Sequence, residues 1–141
     1  MLIRKETEYA ILGLISMAKN SDDFTDVKAL AETENISETL LAKVFQKMAV
    51  AGILESKSGP AGGFKLTKNP SEISLLDIIR AIQEPEVLKC YSGSAPYCQK
   101  PVCSLRSTIQ KMEKFIREYL ANTSLFEIIA EEAQLKLSKS N

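Results

Sequence analysis

The stretch ILESKSGPAGGFKLT at residues 53–67 predicts a β-hairpin. Residues 53–57 have the composition of one strand, residues 58–63 form a turn rich in Gly and Pro, and residues 64–67 alternate as a returning strand. A glycine-rich loop can also hold the phosphates of a nucleotide. This loop lacks the Lys-Ser/Thr pair of a P-loop, however, and it lies between two strands rather than before a helix.

Two short helices are predicted immediately before the hairpin. Thr25 is the expected N-cap of the first, and Ser37 is the expected N-cap of the second, which runs to about Ala51 and is ended by Gly52. A tight turn at residues 34–36 joins them. Two short helices joined in this way and followed by a hairpin are typical of a winged helix-turn-helix, whose wing glycines allow the backbone to approach a DNA groove.

The charge distribution favours the same interpretation. The net charge is zero, but residues 1–35 carry −3 and residues 36–68 carry +3. A locally basic segment in a neutral chain is typical of a confined DNA contact. The second helix also has a polar outward face, which could equally be an ordinary solvated surface. The residues expected to contact DNA are Ser37, Thr39, Lys43, Gln46, Lys47, Lys57, Gly59, Gly62 and Lys65.

The three cysteines of the chain, Cys90, Cys98 and Cys103, lie within fourteen residues. Pro96 and Pro101 fall among them and disfavour regular secondary structure, so a loop is predicted. Thiolates held close together on a loop are suitable ligands for a soft metal or an iron–sulfur cluster. Cys103 also begins a predicted helix, where the positive end of the helix dipole favours the thiolate.

The fourth ligand of such a site is not evident near the cysteines. The chain has no histidine, and no Asp or Glu lies between Cys90 and Met112, so a fourth protein ligand would come from distant sequence or from a second subunit. The alternatives are zinc, redox-active thiols, a disulfide with one thiol left over, and unreactive buried thiols. A disulfide is not expected, because charges at residues 4–6 interrupt any secretory signal and a cytoplasmic protein without a membrane span is predicted.

Glu8 stands out in the first predicted helix, residues 5–19. Tyr9, Leu12 and Ile15 give this helix an apolar stripe, and Glu8 lies on the same stripe. A carboxylate that faces an apolar surface requires a partner. The ordinary interpretation is that Glu8 lies in the first helical turn, where the dipole favours a negative charge.

The C-terminal part of the sequence predicts a dimerisation helix. A capping box at residues 74–77 opens a helix after the hairpin, and the longest helix runs from Cys103 to about Ala121. The fold class is therefore mainly α with a small β-hairpin wing. A winged helix-turn-helix domain is expected at residues 1–84, a cysteine loop at 85–103, and the dimerisation and C-terminal helices at 104–141. The apolar stripe expected in a dimer consists of Leu105, Ile109, Met112, Ile116 and Leu120.

Together these features resemble the Rrf2 family of bacterial transcription regulators, which includes the iron–sulfur cluster assembly regulator and the nitric-oxide-sensing repressor. The resemblance implies a homodimer with crossed long helices, recognition helices in successive major grooves of a palindromic operator, and an iron–sulfur cluster that controls DNA binding. The resemblance runs from about Met1 to Ile129, and the matching residues are Glu8-Tyr9-Ala10, Ile36-Ser37 with Leu41 and Phe45, Ala51-Gly52-Ile53-Leu54, Gly59-Pro60-Ala61-Gly62-Gly63-Phe64, Ile73 to Ile82, and the three cysteines.

The sequence departs from the family pattern after the third cysteine and in the wing. The cluster-assembly regulators place a histidine ligand shortly after the third cysteine, where this chain has Arg106 and Ser107. The nitric-oxide sensor takes a carboxylate from the first helix of its partner, and Glu8 is at the matching position. The resemblance therefore implies Glu8 as fourth ligand and leans towards [4Fe–4S] over [2Fe–2S]. In the wing, Ser58 replaces the Arg that usually precedes Gly-Pro.

The predicted function is a DNA-binding regulator, expected to be a repressor, that senses redox, iron or nitric oxide status through a cluster. The alternatives are a cluster-free regulator that uses zinc or redox-active thiols, and one that acts through a protein partner. A small metalloenzyme or electron carrier is disfavoured, because the sequence offers no acid–base constellation and a winged helix would have no role in it.

Overall fold

The computed structural model describes residues 3–20, 23–83 and 103–140 of the chain. In these ranges the order of elements is that of the predicted winged helix-turn-helix followed by a long helix. The elements are α1 Lys5–Asn20, α2 Val27–Glu34, α3 Glu38–Val50, β1 Leu54–Lys57, β2 Gly63–Leu66, a 3₁₀ turn Pro70–Glu72, α4 Leu75–Ile82, α5 Ser104–Asn122 and α6 Leu125–Lys139.

The start of α2 differs from the prediction. Asp26, not Thr25, is the N-cap, and its carboxylate oxygens accept hydrogen bonds from the backbone N–H groups of Lys28 and Ala29, both at 3.4 Å. Thr25 instead pairs with the hairpin: its N–H donates to the carbonyl of Phe64 at 2.8 Å, and the Phe64 N–H donates back at 3.0 Å. The loop before α2 is thus attached to β2, a long-range pairing that takes Thr25 away from the cap.

The turn between α2 and α3 forms as predicted. Asn35 adopts the left-handed conformation at φ 53°, which ends α2. The hydroxyl of Ser37 accepts a hydrogen bond from the Leu40 N–H at 3.4 Å and caps α3. Gly52, at φ +81°, follows the end of α3.

The wing is an antiparallel pair of strands in which Leu54 lies opposite Leu66 and Lys57 lies opposite Gly63. Gly63 has φ +142°, and a Cβ at this position would lie 2.1 Å from the carbonyl oxygen of Thr25. Only glycine fits there, because both the backbone conformation and the approach of the Thr25 loop exclude a side chain.

The core is centred on Phe45 of α3, which is fully buried and meets Phe64 of β2 edge-on with 5.4 Å between ring centroids. Helix α1 approaches Phe45 closely through Gly13, where a Cβ would lie 2.9 Å from the ring. The predicted apolar stripe of α1 is buried only in part, at Ile15. The buried face of the helix holds Ala10, Leu14 and Met17, whereas Tyr9 is half-buried and Leu12 is 39% exposed.

The C-terminal helices pack on α4, the 3₁₀ turn and α1. Ser74 caps α4 as predicted and Ser124 caps α6, and the two caps lie side by side: the Leu125 N–H donates to the carbonyl of Ile73 at 2.8 Å. Leu125 is fully buried. In α4, Leu76 is buried and Leu75 is half-buried.

Helix α5 buries part of the predicted apolar stripe and leaves the rest exposed. Ile109 is 6% exposed and is buried within its own chain, and α5 packs on α4. Four large apolar side chains next to Ile109 around the helix are open to solvent. We call them the α5 seam: Leu105 (62% exposed), Met112 (44%), Phe115 (71%) and Tyr119 (63%).

The helices were also compared with the requirements of a membrane span. Within residues 3–20, 23–83 and 103–140, no helix is both long and apolar enough to cross a bilayer.

Candidate nucleic-acid interface and cysteine site

Helix α3 presents the polar face that the sequence predicted. It buries Leu41, Val44, Phe45 and Met48 against the core, so the residues between them project outward on the opposite side. Thr39, Lys43 and Gln46 are exposed, and Lys47 is half-buried. A helix of this kind, preceded by a tight turn and backed by a second helix, can enter a DNA major groove.

Glu6 of α1 lies beside the two lysines of this face. Its carboxylate is 3.9 Å from the Nζ of Lys43 and 3.7 Å from the Nζ of Lys47. One carboxylate of the first helix is therefore shared by two cations of α3. Sequence reasoning missed this contact, because nothing in the sequence places the first turn of α1 beside the middle of α3.

The wing carries two further lysines on one face. The Nζ atoms of Lys57 and Lys65 lie 5.4 Å and 5.9 Å from the centroid of the Phe24 ring, within the range of a cation–π interaction. Phe24 belongs to the loop that Thr25 attaches to β2. This aromatic contact was also missed, since it joins residues more than thirty positions apart.

The wing tip depends on its glycines. Gly59 has φ +102° with no atom within 4 Å of a Cβ built on it, so its backbone conformation is what favours glycine. A Cβ on Gly62 would lie 2.2 Å from the carbonyl oxygen of Lys57, so Gly62 allows the turn to close. Both residues are at the tip of the hairpin, where a wing approaches DNA.

Cys103 is the one predicted cysteine ligand within the described residues, and Cys90 and Cys98 lie outside them. Cys103 is half-buried, forms no disulfide with another described residue, and is the N-cap of α5 without a side-chain capping bond. Its thiol is therefore not used to cap the helix. Within residues 3–20, 23–83 and 103–140, no three side chains of His, Cys, Asp or Glu are grouped to hold a metal.

Glu8 lies on the surface of α1 rather than against its own core. Its side chain is half-exposed and accepts a hydrogen bond from the Nζ of Lys5 at 3.1 Å. This hydrogen bond, together with the negative charge of Glu8, raises the pKa of Lys5. The role of Glu8 as fourth ligand stays a prediction, as do the roles of the three cysteines.

Thr7, which lies between Glu6 and Glu8 in the sequence, makes a buried contact with the end of α4. Its hydroxyl donates to the Oε1 of Gln83 at 2.6 Å, and the Arg4 N–H donates to the same oxygen at 2.9 Å. Thr7 is fully buried and Gln83 is 7% exposed. Gln83 is the last described residue before the sequence that contains Cys90 and Cys98, so this contact joins α1 to the start of that segment.

The arrangement was compared with known proteins. Residues 3–131 match the family model Rrf2, described as iron-dependent transcriptional regulators. The HTH-type transcriptional regulator NsrR of Geobacillus kaustophilus is 30% identical over 140 residues, which cover 96% of this chain and 95% of that protein. NsrR of Bacillus licheniformis is 27% identical over 139 residues, with 96% and 97% covered.

Solved structures have the same fold. CymR, the global cysteine regulator of B. subtilis, superposes with a TM-score of 0.74 at 26% identity, covering 93% of this chain and 98% of that one. T. potens IscR superposes with a TM-score of 0.75 at 24% identity, covering 95% and 91%, and shares the fold. With a family model that matches nearly the whole chain and a winged helix of this form, the protein belongs to the Rrf2 family of transcriptional regulators.

Proposed function

We propose that this regulator is a homodimeric repressor that acts in the cytoplasm and binds a palindromic operator. The observation that carries the proposal is the position of the lysines. Lys43 and Lys47 project from α3, and Lys57 and Lys65 project from the wing, all within the basic segment of a neutral chain. In the proposed complex, α3 lies in the major groove and the wing approaches an adjacent groove.

The individual contacts follow from the chemistry of the side chains. Thr39 and Gln46 are exposed on α3 and can read base edges, while the four lysines contact phosphates. Ser37, at the start of α3, adds a hydroxyl and a helix N-terminus directed at the phosphate backbone. Gly59 and Gly62 let the wing backbone come close to the groove.

The α5 seam supports the homodimer. Leu105, Met112 and Tyr119 are spaced by seven residues with Phe115 between the last two, which is the spacing of a helix that pairs with another helix. Four large apolar side chains on one side of a helix are unfavourable in water. Pairing of α5 with α5 of a second copy would bury them and would present two recognition helices to one palindrome.

We further propose that Cys90, Cys98 and Cys103 hold an iron–sulfur cluster, [4Fe–4S] in preference to [2Fe–2S], with the partner subunit's Glu8 as fourth ligand. Three thiols and no histidine form a donor set suited to iron–sulfur chemistry, and the Cys103 thiol is not engaged in capping. A bound cluster would supply a centre whose oxidation or loss reports redox, iron or nitric oxide status. The exposed position of Glu8 leaves its carboxylate available to a second subunit.

A cluster-free regulator is the second candidate, because the structure of the global cysteine regulator of B. subtilis superposes as well as that of T. potens IscR. In that case the thiols bind zinc or react directly with oxidants, or the protein works with a protein partner. The fold is common to both candidates, so the cysteines and not the winged helix distinguish them.

The test is anaerobic isolation followed by visible absorption, Mössbauer spectroscopy and iron and sulfide analysis. A brown protein with both elements, whose affinity for duplexes selected from a random library changes when the cluster is lost, is the expected result. A colourless protein that contains zinc, or no metal, and binds the same duplexes equally well would support the second candidate. If none of the selected duplexes has two-fold symmetry, the proposed palindromic operator is contradicted.

A further inference from the structure

Glu6 of α1 lies beside two of the proposed DNA contacts of α3. Its carboxylate oxygens lie 3.9 Å and 3.7 Å from the Nζ atoms of Lys43 and Lys47. These lysines are four residues apart, so they lie one above the other on the same face of the helix. A single carboxylate between them neutralises part of the charge that this face would offer to phosphate.

The packing of α1 against α3 holds Glu6 in this position. Gly13 of α1 allows the two helices to approach closely at Phe45 and Leu41. The Thr7 hydroxyl, on the residue that follows Glu6, is fixed by its buried hydrogen bond to Gln83. The backbone of the first turn of α1 is therefore anchored, and Glu6 is directed at the lysines by a rigid element.

The ion pairs themselves remain exchangeable. The side chains of Glu6, Lys43 and Lys47 are 36%, 62% and 37% exposed. Ion pairs with this degree of exposure contribute little to stability, because solvent screens them and the side chains lose freedom in forming them. Phosphate oxygens can replace the carboxylate at each lysine without disrupting the fold.

We propose that Glu6 is an intramolecular competitor of DNA phosphates for Lys43 and Lys47, and that it sets the operator affinity. This inference rests on the proposed function, which places α3 in the major groove. In the free protein Glu6 neutralises one of the two lysine charges. In the complex its carboxylate lies near the phosphates that the lysines contact, and it opposes their binding. Glu6 is thus a positioning residue that limits affinity, and loss of its charge strengthens binding.

The alternative role for Glu6 is structural. It lies in the first turn of α1, where the helix dipole favours an acidic residue. It could also hold the two lysines in the geometry that DNA requires. The two roles predict opposite signs: loss of a competitor tightens binding, whereas loss of a support weakens it.

The experiment measures the affinity of Glu6→Gln for a duplex selected with the wild-type protein, over a range of salt concentrations. Removal of one competing charge in each subunit of a dimer steepens the plot of log K against log[salt] by about 1.8, since each phosphate contact contributes about 0.9. At about 0.1 M salt we expect binding to be at least about fivefold tighter, with the gain shrinking as salt rises.

Glu132→Gln is the matched control. Glu132 of α6 is also shared by two lysines, Lys19 and Lys136, but it lies near the C-terminal end of α1 and away from the polar face of α3. This variant loses the same charge and the same kind of ion pair. We expect its DNA affinity to stay within about twofold of the wild type, because exposed charges beyond a Debye length are largely screened. An equal gain in the control would overturn the inference, since the effect would then be one of net charge.

Variants of the lysines separate failure of the inference from failure of the proposed function. Lys43→Ala/Lys47→Ala should weaken DNA binding and flatten its salt dependence, and Glu6→Gln should have no effect in that background. If the lysine variant weakens binding but Glu6→Gln alone leaves it unchanged or weaker, Glu6 is not a competitor. If the lysine variant binds like the wild type, α3 is not the DNA-contacting helix, and the proposed function fails together with the inference.

Discussion

At the level of single residues, the hydrogen bond between Thr7 and Gln83 joins two buried polar side chains. Thr7 is fully buried, and its hydroxyl lies 2.6 Å from the Gln83 oxygen. Thr7→Val keeps the shape of the side chain and removes the donor. We expect a loss of about 1–2 kcal/mol in the free energy of unfolding, measured by urea denaturation at equilibrium.

Thr33→Val provides the control for Thr7→Val. The Thr33 hydroxyl is exposed and donates to the carbonyl of Ala29 in its own helix at 3.0 Å. The same substitution there should change the free energy of unfolding by less than about 0.5 kcal/mol. Equal effects at the two positions would show that the buried contact contributes nothing beyond the intrinsic preference of Val.

Gly63 is a single residue on which the formation of the wing depends. Gly63→Ala places a Cβ 2.1 Å from the backbone oxygen of Thr25, and it does so at φ +142°. We expect a loss of more than about 2 kcal/mol in stability, because the Thr25 loop must separate from β2. Chemical denaturation gives the free energy, and amide hydrogen exchange at Thr25 and Phe64 reports the lost pairing.

Gly59→Ala is the matched variant in the same hairpin. Gly59 also has a positive φ, but no atom lies within 4 Å of the added Cβ. Gly59→Ala should therefore lower the free energy of unfolding by about 1 kcal/mol, from backbone strain alone. If Gly59→Ala is as destabilising as Gly63→Ala, the close approach of Thr25 to the wing is not what requires glycine at position 63.

At the level of elements, the sequence predicted those structural features that depend on residues close together in the chain. Ser37 and Ser74 were predicted as caps and are caps, because each capping bond is made within three residues of the serine. The wing was predicted because a turn rich in glycine between two short strands is a local pattern. The apolar stripe of α1 did not by itself indicate the buried face, since Ile15 of the stripe is buried whereas Leu12 is exposed.

Contacts between distant segments were not predictable. The pairing of Thr25 with Phe64, the Phe24 ring near the wing lysines, and Glu6 beside the recognition helix all join residues far apart in the sequence. They depend on how α1 and the loop before α2 pack on α3, and no local pattern encodes this. The polar face of α3 was predictable, because it is the complement of an apolar face with clear helical spacing.

At the level of the whole molecule, the exposed α5 seam predicts how two copies associate. Met112→Glu/Phe115→Glu places two carboxylates where the dimer should be apolar, and burial of an unpaired charge is strongly unfavourable. We expect monomers by analytical ultracentrifugation and loss of binding to a two-fold symmetric duplex. The far-UV circular dichroism should be unchanged, because both side chains are exposed in one chain.

The control for the seam is Phe126→Glu/Leu137→Glu on α6. These apolar side chains are also exposed, at 56% and 69%, but they lie outside the seam. This variant should remain dimeric and bind DNA. Ile109→Glu is not a suitable test, because Ile109 is buried in its own chain and its replacement would unfold the protein. If the seam variant is still dimeric, the interface between copies lies elsewhere.

The fourth-ligand prediction for Glu8 also belongs to the whole molecule, because the carboxylate would act on the cysteines of the partner. A carboxylate is a harder ligand than a thiolate and binds iron less firmly in such a site, so its bond should be the labile one. Glu8→Ala should therefore assemble a cluster that is lost about tenfold faster, a common size of effect for changes in the surroundings of a metal. The measurement is the decay of visible absorption under air, followed by DNA affinity.

Lys5→Ala is the control for Glu8→Ala. It removes the same ion pair with Glu8 and leaves the carboxylate in place. Glu8 is exposed, and its loss leaves no buried group unsatisfied, so neither variant should change the stability of the winged helix by more than about 0.5 kcal/mol. Faster cluster loss in Glu8→Ala alone supports ligation by Glu8. If the cluster is lost equally fast in both variants, the effect belongs to the ion pair. If neither variant changes the rate of cluster loss, Glu8 is only an acidic residue at the start of a helix.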